Sequence, residues 1–234
     1  ENHEGESWGN FDALVISASI DADLLNAASW TFSRRLLKQL DFSWLEGNLV
    51  LDPDGKIVNI LRVNGSWRGD EETAAFVHVS DDGKGLSFDP QKDLMRMPGG
   101  GVKFTIRYDE KTSRYWSIVN KQTSPKANRN NLVLTSSTDL RNWKIESPLL
   151  WHPDAEKHAW QYIDWQFDGE DIIFVSRTAF DDGMGGAHTF HDANYLTFHR
   201  ITRFRSRRPG PLTTDCCPTN GSSRLVTLAA DPSR

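Results

Sequence analysis

The stretch "NLVLTSSTDLRNW", residues 131–143, runs from an apolar strand-like segment into a polar turn and closes on a tryptophan. Leu132, Val133 and Leu134 read as a buried strand. Ser137 and Asp139 suit a tight turn in which the aspartate accepts backbone N–H bonds and Trp143 covers the bend. Alone, the pattern is common. Three further segments share it: "ALVISASIDADLLNAASW" (13–30), "AAFVHVSDDGKGLSF" (74–88) and "NYLTFHRITRF" (194–204). Their closing aromatics Trp30, Phe88, Trp143 and Phe204 are spaced 58, 55 and 61 residues apart.

Between these segments lies a second recurring unit of strand, turn and strand. It reads "WLEGNLVLDPDGKIVNILRV" (44–63), "GVKFTIRYDEKTSRYWSIVN" (101–120) and "WQYIDWQFDGEDIIFVSRTA" (160–179), aligned by Asp52, Asp109 and Asp168 at spacings of 57 and 59. About four short strands per period, joined by Gly/Asp turns, are the sign of a β-propeller blade. A helical patch at "RRLLKQL" (34–40) is the one doubtful interruption. The fold class read from the sequence is therefore all-β, a β-propeller of about three and a half blades over residues 1–205. Because propellers close with roughly four to eight blades, the chain is expected to be the C-terminal part of a longer ring, with earlier blades and any signal peptide outside it. A four-bladed ring is the alternative. Residues 206–234, rich in Pro, Ser, Thr and Arg, carry no repeat and read as an irregular tail.

A formal charge of -5 with both signs mixed leaves no basic footprint for nucleic acid, and no apolar run approaches the roughly 18 residues of a membrane span. Cys216 and Cys217 are adjacent, closer than an ordinary disulfide prefers, and say nothing of redox compartment. Nine Trp and twelve Phe point to heavy aromatic packing or a sugar-binding surface.

Side chains alternate along a strand, so counting back from each turn aspartate separates two faces. Glu46 and Asn48; Lys103, Thr105 and Arg107; and Tyr162, Asp164 and Gln166 make a polar face, expected to line the central channel. Opposite charges there could simply pair, as Glu46 with Lys103. Arg62 and Arg177 end the second strands and return to the end where Glu46, Lys103 and Tyr162 begin. Converging arginines suit a carboxylate, which makes an anionic sugar the expected ligand. The loop "AFDDGMGGAHTFHDA" (179–193) supplies His191 and Asp192 at that end as a flap, His191 being a candidate acid/base group. Its spacing matches no metal-ligand motif, and no metal or cofactor is expected. The turn residues Asp82, Asp139, Trp30 and Trp143 are read as structural.

"SDDGKGLSF", "STDLRNW", "WLEGN", "KFTIRYD", "QYIDWQFDGEDII", "VSRTAFDDGMGGAH" and "HDANYLTFHR" resemble the C-terminal blades of sialidase-like glycosyl hydrolases with BNR (Asp-box) repeats, which are six-bladed propellers. The second box is one residue short and has Arg141 at the glycine position. The resemblance implies Arg62, Arg107 and Arg177 as arginines for a substrate carboxylate and Tyr162 with Glu46 as nucleophile and activating base.

The resulting expectation is an exo-acting glycoside hydrolase that removes a terminal acidic sugar, with Glu46, Tyr162 and Asp164 catalytic and Arg62, Lys103, Arg107, Arg177, His191 and Asp192 contacting the substrate. A lyase using Tyr162 and a histidine on a uronic acid, and a non-catalytic carbohydrate-binding propeller, are the alternatives. The full-length protein is expected to be secreted or periplasmic, monomeric, and to bind a glycan rather than nucleic acid or membrane.

Overall fold

A computed structural model describes residues 11–38, 43–64, 72–123, 129–182 and 185–207. Its strands, in chain order, are β1 (Ile16–Ser17), β2 (Thr31–Phe32), β3 (Ser43–Leu51), β4 (Ile57–Asn64), β5 (Thr73–Val79), β6 (Leu86–Ser87), β7 (Leu94–Arg96), β8 (Ile106–Asp109), β9 (Arg114–Asn120), β10 (Asn131–Ser137), β11 (Lys144–Trp151), β12 (Ala159–Asp168), β13 (Asp171–Ala179) and β14 (Tyr195–Ile201). The helical patch expected at 34–40 is not helical over its described residues, where Leu36 bridges to Ala13 instead. The tail beyond Arg207, with Cys216 and Cys217, lies outside the described residues.

The chain forms two compact units, one reaching to Gly101 and including the turn Thr138–Asn142, the other made of Val102–Ser137 and the residues from Trp143 onward. In the first unit β3, β4, β5 and β6 form an antiparallel meander, with β7 also paired to β5 and β1 to β2 separately. β4 and β5 are buried on both faces, so both read as near-continuous apolar runs: Val58, Ile60, Leu61 and Val63 in one, Ala74 through Val77 in the other. Trp44 anchors the core with Leu61, Val63, Ala75, Val77 and Leu94, and Phe88 meets its indole edge-on at 5.0 Å. The β3–β4 turn forms because Asp52 Oδ1 accepts the amides of Asp54 and Lys56 at 3.0 and 2.8 Å, while Gly55 takes a left-handed φ of 76°.

β3 departs from the expected facing. Its apolar positions Leu49 and Leu51 are 50% and 59% exposed, whereas the intervening Asn48 and Val50 are half-buried. Alternation separates two faces without saying which of them finds a covering layer.

In the second unit β8, β9, β10 and β11 form one antiparallel meander and β12, β13 and β14 another. Trp116, Ile118, Leu132, Leu134, Trp160, Ile163, Trp165, Ile172, Phe174 and Phe204 share a single core, to which both sheets contribute. In β12 the apolar positions are the covered ones: Ile163 and Trp165 are buried, while Asp164 and Gln166 are exposed. Arg205, which in the sequence belongs to a basic cluster, forks onto Asp109 at 2.7 and 2.8 Å and ties the chain's last described turn to the β8–β9 turn.

The Ser/Asp turns after β5 and β10 are local hydrogen-bonded structures on one plan, with the residue after the aspartate left-handed and the next amide donating to its Oδ1. Ser80 donates to Asp82 at 2.6 Å and Gly83 supplies a left-handed φ of 70°. In the turn after β10, Asp139 Oδ1 accepts the amides of Arg141 and Asn142 at 2.9 and 2.7 Å, and Leu140, in the place of Gly83, is left-handed at φ 62°. Arg141, at the position a glycine would hold, reaches Asp93 at 3.0 Å and lies 3.9 Å from the Phe76 ring centre. Trp30 donates to Leu24 O at 3.1 Å within its own loop rather than covering a core.

Candidate functional site

Two strands carry a β-bulge at corresponding places. In β12 the pairing with β13 jumps between Gln161↔Arg177 and Asp164↔Val175, so Tyr162 and Ile163 together stand against Ser176. In β3 it jumps between Trp44↔Val63 and Gly47↔Leu61, around Leu45 and Glu46. A bulge re-aims a side chain that strict alternation would fix, and bulges gather at binding sites. The two strands therefore present Tyr162 and Glu46 in irregular backbone.

Tyr162 has a φ of 50°. A bulky aromatic in the left-handed region costs about 1–3 kcal/mol and persists only where its surroundings enforce it. The enforcing contacts are visible. Buried Gln161 donates to the carbonyl of Phe190 and accepts from Arg129 Nη1 at 2.6 Å. Arg129 and Arg177 place their guanidinium carbons 5.6 and 5.3 Å from the Tyr162 ring centre, and Arg177 donates to the carbonyl of His191. The result is a half-buried phenol flanked by two cations that are themselves tied to the loop after β13.

That loop is held at several points. Asn194 clamps Phe180 through both amide and carbonyl at 3.0 and 2.9 Å, and the Tyr195 hydroxyl donates to Asp182. His191 and Asp192 are exposed on it. Partial desolvation of its otherwise exposed ring, followed by the charges of Arg129 and Arg177, lowers the pKa of His191, so its imidazole is neutral at neutral pH.

Just ahead of β12, at the end where the loop after β13 begins, the segment 152–158 folds its two imidazoles face to face, His152 over His158 at 3.5 Å and 20°. Their nitrogens and the Asp154 carboxylate lie within 4.8 Å of one another. A metal takes imidazole lone pairs in the ring plane at about 2 Å, and near-parallel stacked rings cannot both aim at one such point. The group is a hydrogen-bonded pair instead: Asp154 accepts from His158 Nδ1 at 3.1 Å, and the Asp154 amide donates to His152 Nδ1 at 3.1 Å.

The sequence-derived candidates fall into both units. Glu46 and Arg62 are in the first, where Arg62 Nη1 meets Glu46 Oε2 at 3.1 Å and Nε donates to Gly101 O at 3.0 Å. Glu46 thus has Arg62 of its own unit as ion-pair partner, and Lys103 is half-buried in the second unit. Arg107 and Asp164 come together at 3.2 Å, and Arg107 also donates to Trp165 O. Tyr162, Arg177 and the loop bearing His191 and Asp192 form the cluster described above. Arg62, Arg107 and Arg177 each donate to a protein oxygen, which fixes the orientation of each guanidinium.

Sequence reasoning missed Arg129, Gln161 and Phe190. Gln161 left a trace, being the one amide on the otherwise apolar face of β12. Arg129 and Phe190 sit in loops with no pattern to expose them.

No family model matches the sequence, and no curated protein matches it. Solved structures with a similar fold include a Penicillium chrysogenum α-L-arabinanase complexed with arabinobiose, at 10% identity over 69% of this chain and 46% of that one, TM-score 0.48. The GH93 α-L-arabinofuranosidase of Fusarium graminearum with arabinobiose aligns at 11% identity over 71% and 48%, TM-score 0.46. The GH43 endo-arabinanase of Bacillus licheniformis aligns at 13% identity over 83% and 70%, TM-score 0.42. The chain spans about half the length of the first two. These findings correct the sequence-based expectation. The similar structures are arabinanases and an arabinofuranosidase, not sialidase-like proteins with Asp-box repeats, so neither the six-bladed sialidase-type ring nor chemistry on a sialic or uronic acid stands.

Proposed function

We propose that this chain is the glycan-handling part of a glycoside hydrolase that acts on neutral sugars. The observation that carries the reading is Tyr162: a half-buried ring held in left-handed backbone at a bulge and fixed on two sides by Arg129 and Arg177. A rigid aromatic rimmed by hydrogen-bond donors suits the apolar face and hydroxyls of a sugar ring. The engagement of Arg62, Arg107 and Arg177 with protein oxygens favours an uncharged ligand. Hydrolysis needs a proton donor for the leaving oxygen and a base for water. His191 and Asp192, consecutive on the loop that Arg177 holds, are the titratable pair assigned to proton transfer.

Arabinobiose is the first ligand to test, since two of the structures above are complexes with it. Isothermal titration of the chain should show binding of arabinobiose, loss of it by about tenfold or more in Tyr162→Ala, and none of a sialylated trisaccharide. Equal binding by Tyr162→Ala, or selective binding of the sialylated sugar, would defeat the reading. Release of arabinose from the disaccharide, lost in Asp192→Asn, tests the hydrolytic half separately.

A further inference from the structure

The stacked histidines lie outside the cluster around Tyr162 but are wired to its loop. In "HPDAEKH" (152–158) Asp154 Oδ1 accepts the amides of Glu156 and Lys157 at 2.8 and 3.3 Å, a turn that returns His158 over His152. The hydrogen bonds assign each tautomer. His152 Nδ1 accepts from the Asp154 amide, so its proton sits on Nε2. His158 Nδ1 donates to Asp154 Oδ2 at 3.1 Å, which leaves Nε2 as an acceptor, and the Asp181 amide donates to it at 3.3 Å. His158 is buried, with Phe180 edge-on at 5.0 Å.

We infer that His158 is a positioning residue whose neutral Nε2 holds the start of the loop 180–194 through the Asp181 amide and releases it when the ring takes a second proton. Protonated Nε2 is a donor and faces the Asp181 N–H donor, so the bond cannot survive. The charged groups around the ring are His152 stacked on it, Asp154 at Nδ1, and Asp181, whose carboxylate meets Lys157 Nζ at 3.6 Å. The two carboxylates favour the cation, whereas burial and then His152 oppose it, and the opposition wins: the pKa of His158 is lowered. The latch is thus closed at neutral pH and opens in acid. The same loop carries the Phe190 and His191 carbonyls that Gln161 and Arg177 hold beside Tyr162, so its position sets the rim of the candidate site. The latch concerns the loop rather than its ligand, and it stands whether or not the proposed sugar binds.

Residue-resolved amide exchange by NMR on the ligand-free chain tests it. Corrected for intrinsic chemistry, exchange of the Asp181 amide should rise about fivefold between roughly pH 7.5 and the acid side of the His158 titration, followed by its ring resonances, as expected for loss of one hydrogen bond. His158→Gln keeps an acceptor near the Nε2 position but does not titrate, and should show no such rise. Equal protection at both pH values in the wild type, or an unchanged pH response in His158→Gln, would overturn the inference. If His158→Gln does not fold, the wild type decides alone: the Asp181 amide shift and the His158 ring must titrate with one midpoint, and separate midpoints would overturn it. None of these outcomes depends on sugar binding, so failure of the latch and failure of the proposed function are distinguishable.

Discussion

Arg62 meets Glu46 across 3.1 Å, with the arginine side chain 11% exposed and the glutamate 36%. The pair sits where β3 bulges, and Arg62 also donates to Gly101 O at 3.0 Å, so it fastens the bulge to the segment ahead of β8. Its role is structural in the first instance. A half-exposed pair is screened by water, and a double-mutant cycle between Glu46→Gln and Arg62→Met should give a coupling of about 1 kcal/mol, measured by urea denaturation. A coupling near zero would remove the pair from the structural account.

Tyr162 and its backbone can be separated by choice of substituent. The left-handed φ of 50° is strained for any side chain but free for glycine. Tyr162→Gly should therefore be more stable than Tyr162→Ala by about 1 kcal/mol, while both lose the aromatic surface and bind sugar equally poorly. Thermal melts of the two variants under one condition check the first half, and titration with arabinobiose the second. Tyr162→Ala melting at or above Tyr162→Gly would show that the bulge relaxes once the ring is gone.

Asp109 and Arg205 are 4% and 14% exposed at their side chains and form a two-pronged ion pair at 2.7 and 2.8 Å. The hydrogen bonds from Arg205 outweigh burial and lower the aspartate's pKa. A carboxylate with a depressed folded-state pKa adds stability that is present above the unfolded value, about 3.9, and disappears as pH falls through the folded one. Asp109→Asn leaves Arg205 without its charge partner and should cost about 2–4 kcal/mol at neutral pH. It should also flatten the stability curve below about pH 4, because the titrating group is gone. Chemical denaturation at several pH values measures both effects.

Arg141 shows how much of the fold the sequence displays and where it falls silent. The period near 57 residues locates strands and turns because each strand pair needs an apolar core and each reversal needs Asp or Gly, and those demands leave marks. Asp139 behaves as its position suggests. The arginine two residues later does not: it stacks 3.9 Å from Phe76 and pairs with buried Asp93, partners far away in sequence that no local pattern announces. Tyr162 was legible as a polar-face residue of β12, but its bulge, its left-handed φ and its neighbours Arg129 and Phe190 arise from tertiary contacts alone. The same limit misdirected the substrate. The arginines were visible by type and spacing, while the backbone oxygens that orient them were not.

Arg141 also yields a prediction. Arg141→Gly restores the residue an Asp-box would have, yet it removes the Asp93 partner and the stack on Phe76. Asp93 retains the Asp89 amide at 2.9 Å and His78 Nε2 at 3.3 Å, so the loss is partial. The variant should be less stable by about 1–2 kcal/mol, the range for a lost charge-assisted bond with a cation–π contact. Arg141→Lys, which keeps the charge but not the planar fork, should recover less than half of this in urea denaturation. Equal stability of all three proteins would mean that the turn does not depend on Arg141.

His199 gives the last prediction a clear sign. Its ring stacks on Phe174 at 4.6 Å and 13°, and Nε2 meets Thr197 Oγ1 at 2.7 Å, itself joined to Thr178 Oγ1 at 2.7 Å. Burial lowers the imidazole pKa to about 4, against an ordinary value of 6.5. The folded state thus holds the ring neutral while the unfolded chain already protonates it below 6.5, so between pH 6.5 and about 4 the unfolded state binds more protons and stability falls as pH falls. His199→Phe keeps the stack on Phe174 without a titrating group. It should lose the hydrogen bond to Thr197 at neutral pH, yet show a flatter decline in urea midpoint across that interval. A wild-type midpoint that stays level from pH 6.5 to 4, or a His199→Phe curve parallel to the wild type, would show that the ring is solvated rather than buried among Phe174 and the threonines.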